Sequence, residues 1–193
     1  MKKELVVIVA AGILIFAGIF FLAQKPVHED EFHLHADFRV ILNRETIDFS
    51  AGKYMTTKEQ VLSSFVHLHD NNGKIIHVHA KGVTLGDFFT SLGMEFSKEC
   101  FGLDIEDDLE EKFCNQGEKT LKMFVNGVEN TEFENYEPKD LDRILITYGN
   151  ENAEELQQQI NSVSDEACIQ SLKCPERGEP LPEDSCTAAG CTI

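Results

Sequence analysis

The chain has 193 residues, with 34 acidic against 17 basic side chains and a formal net charge of −17. A surface this acidic repels phosphate backbones, and no basic stripe runs anywhere along the sequence, so nucleic acid is not an expected partner. The same charge favours solubility and raises the local concentration of cations.

Residues 5–23 form an uncharged apolar run. As a helix at ~1.5 Å per residue it would span roughly 28 Å, about one hydrocarbon core, so a transmembrane anchor in contact with the lipid bilayer is expected. The rival reading is a cleaved signal peptide. Its apolar stretch is usually about 7 to 15 residues and ends in a small-x-small site, whereas the exit here reads Phe21-Leu22-Ala23-Gln24. Lys2 and Lys3 precede the run and Glu29, Asp30 and Glu31 follow it. That asymmetry places residues 1–4 in the cytoplasm and everything after the anchor outside it. Residues 24–31, with Pro26 and His28, read as a solvated juxtamembrane linker.

Residues 32–163 read as the main domain. From Leu34 the pattern alternates: Leu34, Ala36, Phe38, Val40 and Leu42 point one way, and His33, His35, Asp37, Arg39 and Ile41 the other. A strand buried on one face is expected, with a turn at Asn43 to Glu45 leading to a partner that ends near Ile47 to Phe49. Residues 51–62 have no strong periodicity and read as a loop with a short helix. Two runs, 64–69 and 74–79, flank Asn71-Asn72-Gly73 and mark a second hairpin. Thr84 is an N-cap candidate for a short helix through Leu85, Phe88, Phe89 and Leu92, with Gly93 as its stop. Strands are expected at 121–125, at 128–133 after the Asn126-Gly127 turn, and at 143–148. An amphipathic helix over 151–163 would dock through Leu156, Ile160 and Val163.

All six cysteines lie beyond residue 99. An even number in an exported segment suits disulfides. Cys100 and Cys114 bracket an acidic loop and form a local pair; Cys168, Cys174, Cys186 and Cys191 pair among themselves in one of three ways. A four-cysteine zinc site is the alternative, but no C-x-x-C knuckle occurs. Residues 164–193, with Pro175, Pro180 and Pro182, are poor in apolar side chains and read as a Cys-rich tail ordered by its bridges.

Val83-Thr84-Leu85-Gly86-Asp87-Phe88-Phe89, Phe124-Val125-Asn126-Gly127 and Asp140-Leu141-Asp142-Arg143-Ile144-Leu145-Ile146 carry a resemblance to the β-grasp (ubiquitin-like) fold over residues 64–149. The resemblance implies an α+β domain, with a mixed sheet packed on one main helix and the 34–49 segment as an extra N-terminal hairpin. It is similar above all to the small sulfur carriers, which present a C-terminal Gly-Gly for adenylation. Here the corresponding exit is Tyr148-Gly149-Asn150 and the chain continues, so that chemistry is not carried over.

Six of the seven histidines occur as His33-Leu34-His35, His67-Leu68-His69 and His77-Val78-His79. Residues i and i+2 of a strand share a face about 6.6 Å apart, so each pair can converge on one ion. Register decides whether the pairs meet. A two-residue Asn72-Gly73 turn puts His67 opposite Val78 and the second and third pairs on opposite faces. A three-residue loop with left-handed Gly73 puts His67 opposite His77, all four histidines on one face, and Val66, Leu68, Ile76 and Val78 on the other against the helix. Burial and clustering favour the second register.

The expected site is therefore a transition-metal centre of His33, His35, His67, His69, His77 and His79, with Asp37 as a further ligand or second-layer partner. Nitrogen-rich, methionine-poor ligands suit Zn(II) or Cu(II), with Fe(II) also admissible. His33-Leu34-His35-Ala36-Asp37 looks like the His-x-His-x-Asp start of metallo-β-lactamase-type hydrolases, except that Phe38 stands where that family has its next histidine. His67-Leu68-His69 resembles half of a cupin motif without its glutamate. No nucleophile–base pair, phosphate loop or dinucleotide fingerprint appears. A metal-binding domain for capture, delivery or stabilisation is thus favoured over a small metal-dependent hydrolase or oxidoreductase. A pH-sensing face, or a structural subunit with an unknown cell-surface partner, completes the alternatives.

Overall fold

The computed structural model describes residues 32–103 and 111–177. The expected anchor at 5–23, the linker with His28, and Cys186 and Cys191 lie outside the described residues. No helix among the described residues is long and apolar enough to cross a membrane.

These residues form a mixed α+β structure. Strand β1 (Leu34–Leu42) sits at the centre of a seven-stranded mixed sheet. The other members are β2 (Glu45–Thr46), β3 (Val66–His67), β4 (Ile75–Val78), β8 (Thr120–Val125), β9 (Val128–Glu129) and β10 (Arg143–Gly149), in the order β3-β4-β1-β10-β8-β9 with β2 paired to β1. β1 runs parallel to β10, from Asp37 opposite Arg143 to Leu42 opposite Tyr148, and antiparallel to β4. The segment expected to be an added hairpin is thus the middle of the sheet, because β1 is the strand that joins the histidine hairpin to the C-terminal strands. Its own hairpin exists but is short. Asn43 and Arg44 take left-handed φ values of 51° and 72°, and only Glu45 and Thr46 pair back.

One sheet face carries the main core. Ala36, Phe38, Val40, Leu68, Ile76, Val78, Ile144 and Ile146 pack there against α1 (Leu85–Ser91). Thr84 caps α1 in a box with Asp87: the Thr84 hydroxyl accepts from the Asp87 N–H, and the Asp87 carboxylate accepts from the Thr84 N–H. Gly93, at φ 74°, ends it. The stretch read as an acidic loop is flanked by regular structure. β5 (Glu95–Phe96), β6 (Cys100–Leu103) and β7 (Glu111–Cys114) form a three-stranded sheet, with residues 104–110 outside the described residues. Cys100 lies directly opposite Cys114 and is bonded to it. Phe96, Phe101 and Phe113 turn from this sheet into the main core.

The second face of β1 was expected to meet solvent, and it is covered instead. α2 (Ala153–Asn161) lays Leu156 and Ile160, followed by Val163, on Ile41, Phe124 and Leu145. Next comes α3 (Ala167–Gln170), which brings its segment into the packed structure, with Ala167, Cys168 and Cys174 buried. Cys168 is bonded to Cys174.

In the histidine hairpin His67 lies opposite His77 and Val66 opposite Val78, which is the three-residue-loop register. Its left-handed residues are Asp70 (φ 57°) and Asn71 (φ 55°), not Gly73. Gly73 is needed for a different reason: a Cβ there would stand 2.4 Å from the Phe49 carbonyl carbon and the Ser50 nitrogen. Backbone cannot give way as a side-chain tip can. Gly73→Ala is therefore expected to cost about 1–3 kcal/mol in denaturant unfolding. Gly52→Ala, where a Cβ has nothing within 4 Å, serves as the near-neutral control.

Candidate metal centre

The two registers together set a row of imidazoles across three neighbouring strands. His35 on β1 is opposite His77 on β4, which is opposite His67 on β3. Adjacent strands stand about 4.8 Å apart, so rings in such a row touch. His35 and His77 meet edge to face with centroids 4.5 Å apart. His33 and His79 form a second layer, stacked at 4.2 Å, with His33 also 4.4 Å from His35 and His79 4.8 Å from His67. His69 lies 3.8 Å from His77. All six paired histidines thus belong to one cluster, on the sheet face away from α1.

Within it, His33, His35 and His77 could hold a metal ion: each offers a ring nitrogen, and the three nitrogens lie within 4.8 Å of one another. Nitrogens on one tetrahedral ion at ~2.0–2.1 Å stand about 3.3 Å apart, so the rings need only close inward. His35 and His77 are buried, while His33 is exposed. His67, His69 and His79 surround the three and are only partly buried.

Hydrogen bonds fix which nitrogen the His35 and His67 rings present. The Ser171 hydroxyl donates its one proton to Asp140 Oδ1, 2.6 Å away, so at 2.8 Å it must accept from His35 Nδ1–H. The lone pair of His35 is therefore on Nε2. His67 Nδ1 is 3.0 Å from the Ser63 carbonyl oxygen, which can only accept. His69 Nδ1 is 2.7 Å from the Asp70 carboxylate. His69 Nε2 and His77 Nδ1 stand 3.0 Å apart, so one of these two rings donates to the other. Outer partners of this kind, a carboxylate, a carbonyl or a hydroxyl behind the ring, orient metal-binding histidines.

Burial decides the charge state. Desolvation, followed by the neighbouring His33 charge, lowers the His35 pKa to about 4. Desolvation with the surrounding histidines drives His77 far below the usual imidazole range, and desolvation lowers His67 against the opposing bond to the Ser63 carbonyl. Neutral imidazoles are the form that ligates metal. Burial works against a charged Asp140, yet hydrogen bonds from Lys173, Ser171 and the His35 N–H leave its carboxyl below the ordinary carboxylate value.

Asp37 was expected beside the metal. Its carboxylate is fully buried and already engaged, accepting from the Glu166 N–H and the Ala167 N–H at 2.9 Å each. It anchors the start of α3. Asp140 and Ser171, which the sequence reading did not single out, occupy the supporting position instead. The only signal for them was the short Cys168–Cys174 spacing, which constrains the segment carrying Ser171.

Comparison of the chain with protein-family models, with curated proteins and with solved structures finds no match.

The charge states dictate how stability depends on pH. Between the unfolded histidine value of ~6.5 and about 4, the unfolded chain binds a proton at position 35 and the folded chain does not. The metal-free protein should therefore lose stability as pH falls through that window, with His67 and His77 adding in the same direction. Urea midpoints at pH ~7.5 and ~5 measure this, and His35→Gln should flatten the difference.

Proposed function

We propose that the protein is a membrane-anchored, extracytoplasmic transition-metal-binding protein, serving metal capture, delivery or structural stabilisation. The observation that carries the reading is the approach of His33, His35 and His77 within 4.8 Å, on two adjacent strands and inside a cluster of six imidazoles. Uncommitted imidazoles packed this closely repel one another once protonated, whereas a shared cation turns their proximity into affinity. Nitrogen-only ligands fit Zn(II) or Cu(II) first, then Fe(II). A metal-dependent hydrolase built on His-x-His-x-Asp is disfavoured, because the Asp37 carboxylate is occupied by two backbone N–H groups. An oxidoreductase or other small metalloenzyme would need the solvent side of exposed His33 as its open ligand position.

The anchored, exported reading rests on the apolar run 5–23 with its flanking charges, and the disulfides Cys100–Cys114 and Cys168–Cys174 suit an oxidising compartment. We read the main sheet as β-grasp-like. In support, β4-β1-β10-β8-β9 places the first and last long strands side by side and parallel, with α1 across one face. Residues 34–42 then take the place of the first grasp strand.

Elemental analysis of the purified full chain after dialysis against Zn(II) or Cu(II) tests the metal reading. Tight, stoichiometric binding is expected in the wild type and in His28→Ala, and loss of the ion in His35→Ala plus His77→Ala. A double variant that keeps both the ion and its affinity would sink the assignment. Topology is tested separately by adding protease to intact cells. Digestion of the folded part to the membrane is expected, and complete protection reverses the orientation.

A further inference from the structure

We propose that Ser171 is a positioning residue for the metal site, and that the Cys168–Cys174 disulfide is what keeps it against His35; the inference rests on the metal reading above. A histidine in a metal site must present one chosen nitrogen, and the choice is made by the hydrogen bond at the other. Here that bond comes from the segment that follows α3. His35 Nδ1–H donates to Ser171 Oγ, and Ser171 Oγ–H donates to Asp140 Oδ1. Asp140 is tied to β1 independently of Ser171: its Oδ1 also accepts from the His35 N–H at 3.1 Å, and the neighbouring Leu141 N–H donates to the His35 carbonyl at 2.8 Å. Ser171 is therefore the one link of this relay that arrives on a separate segment.

That segment is held at both ends on the same strand. Asp37 grips the first turn of α3 through Glu166 and Ala167, and His35, two residues away on the same face of β1, receives Ser171 at its end. A four-residue helical span of about 6 Å matches the roughly 6.6 Å between strand positions i and i+2. Beyond Ser171 the chain turns sharply. Leu172 adopts φ 54°, a left-handed conformation that non-glycine residues rarely take. The Lys173 N–H then returns to the Cys168 carbonyl, and the Lys173 ammonium pairs with Asp140 Oδ2. The buried Cys168–Cys174 bridge closes this reversal, so the strained turn and the placement of Ser171 depend on one covalent bond. Reduction by a dithiol would convert the bridge to two thiols, with the dithiol becoming a disulfide, and would release the turn.

Zn(II) affinity, measured by competition with a chromophoric chelator, should fall about 10- to 100-fold in Ser171→Ala and return in Ser171→Thr, which keeps the hydroxyl. Cys168→Ala plus Cys174→Ala should produce a similar fall, and adding Ser171→Ala to it should cause little further loss, because both act through one bond. Imidazole 15N chemical shifts of the metal-free protein supply a second readout: His35 should be the Nδ1–H tautomer in the wild type and a mixture in Ser171→Ala. A wild type that binds Zn(II) equally with or without the Ser171 hydroxyl, fully additive effects of the serine and cysteine changes, or a His35 fixed as Nε2–H would each overturn the positioning role while leaving the metal site intact. A wild type that binds no metal overturns the proposed function and this inference with it.

Discussion

Strand β1 is buried on both faces while carrying the His35 imidazole and the Asp37 carboxylate on one of them. Its odd-numbered face holds His33, His35, Asp37 and Arg39 before reaching the apolar Ile41. Burying an unsatisfied carboxylate or imidazole costs several kcal/mol, so this face could not be closed by an ordinary greasy helix. The fold solves the problem by position. Where the face is apolar, α2 covers it with Leu156 and Ile160; where it is acidic, the first N–H groups of α3 satisfy it; where it is imidazole, Ser171 and the histidines of β4 do so. The succession of elements after β10 follows the succession of side chains along β1.

Much of this was legible in the residues. The Asn71-Asn72-Gly73 signal, combined with the need to bury Val66, Leu68, Ile76 and Val78 together, gave the His67–His77 register that the structure has. It did so although the left-handed positions are Asp70 and Asn71. The hydrophobic requirement, not the turn type, determined the pairing. The Thr84 cap, the Gly93 stop, the Asn126-Gly127 turn and the docking face of the 153–161 helix were readable for the same reason, since each is dictated by neighbours within a few residues. What local pattern could not supply was the parallel contact between β1 and β10, which depends on residues far apart in the chain. Without it, β1 looked like an appendage open to solvent. The strands around the Cys100–Cys114 bridge were hidden by the acidic residues between them.

The candidate site divides along the same line. That the second and third His-x-His pairs share a face follows from strand periodicity together with the hairpin register, and both were readable in the sequence. Which rings lie closest did not follow, because the row His35–His77–His67 requires β1 to be the direct neighbour of β4. Asp37 was drawn to the metal by its place on the histidine face. It serves α3 instead, since a helix start within reach of a buried carboxylate offers two donors. Ser171 and Asp140 carry no metal-site motif: a serine near a disulfide and an aspartate before a strand are ordinary residues until the fold sets them behind His35.

All the clustered imidazoles come from residues 33 to 79, whereas Asp140, which braces His35, lies 105 residues farther along the chain. Synthesis runs from the N-terminus, so the nitrogen donors are complete while the strand that will lie beside β1 does not yet exist. An ion captured at that stage would cross-link β1 to β4 and close the intervening loop ahead of the rest, removing chain entropy that the finished sheet must otherwise overcome alone. The order of residues along this chain would thus let a bound ion act as a template for the fold that follows it.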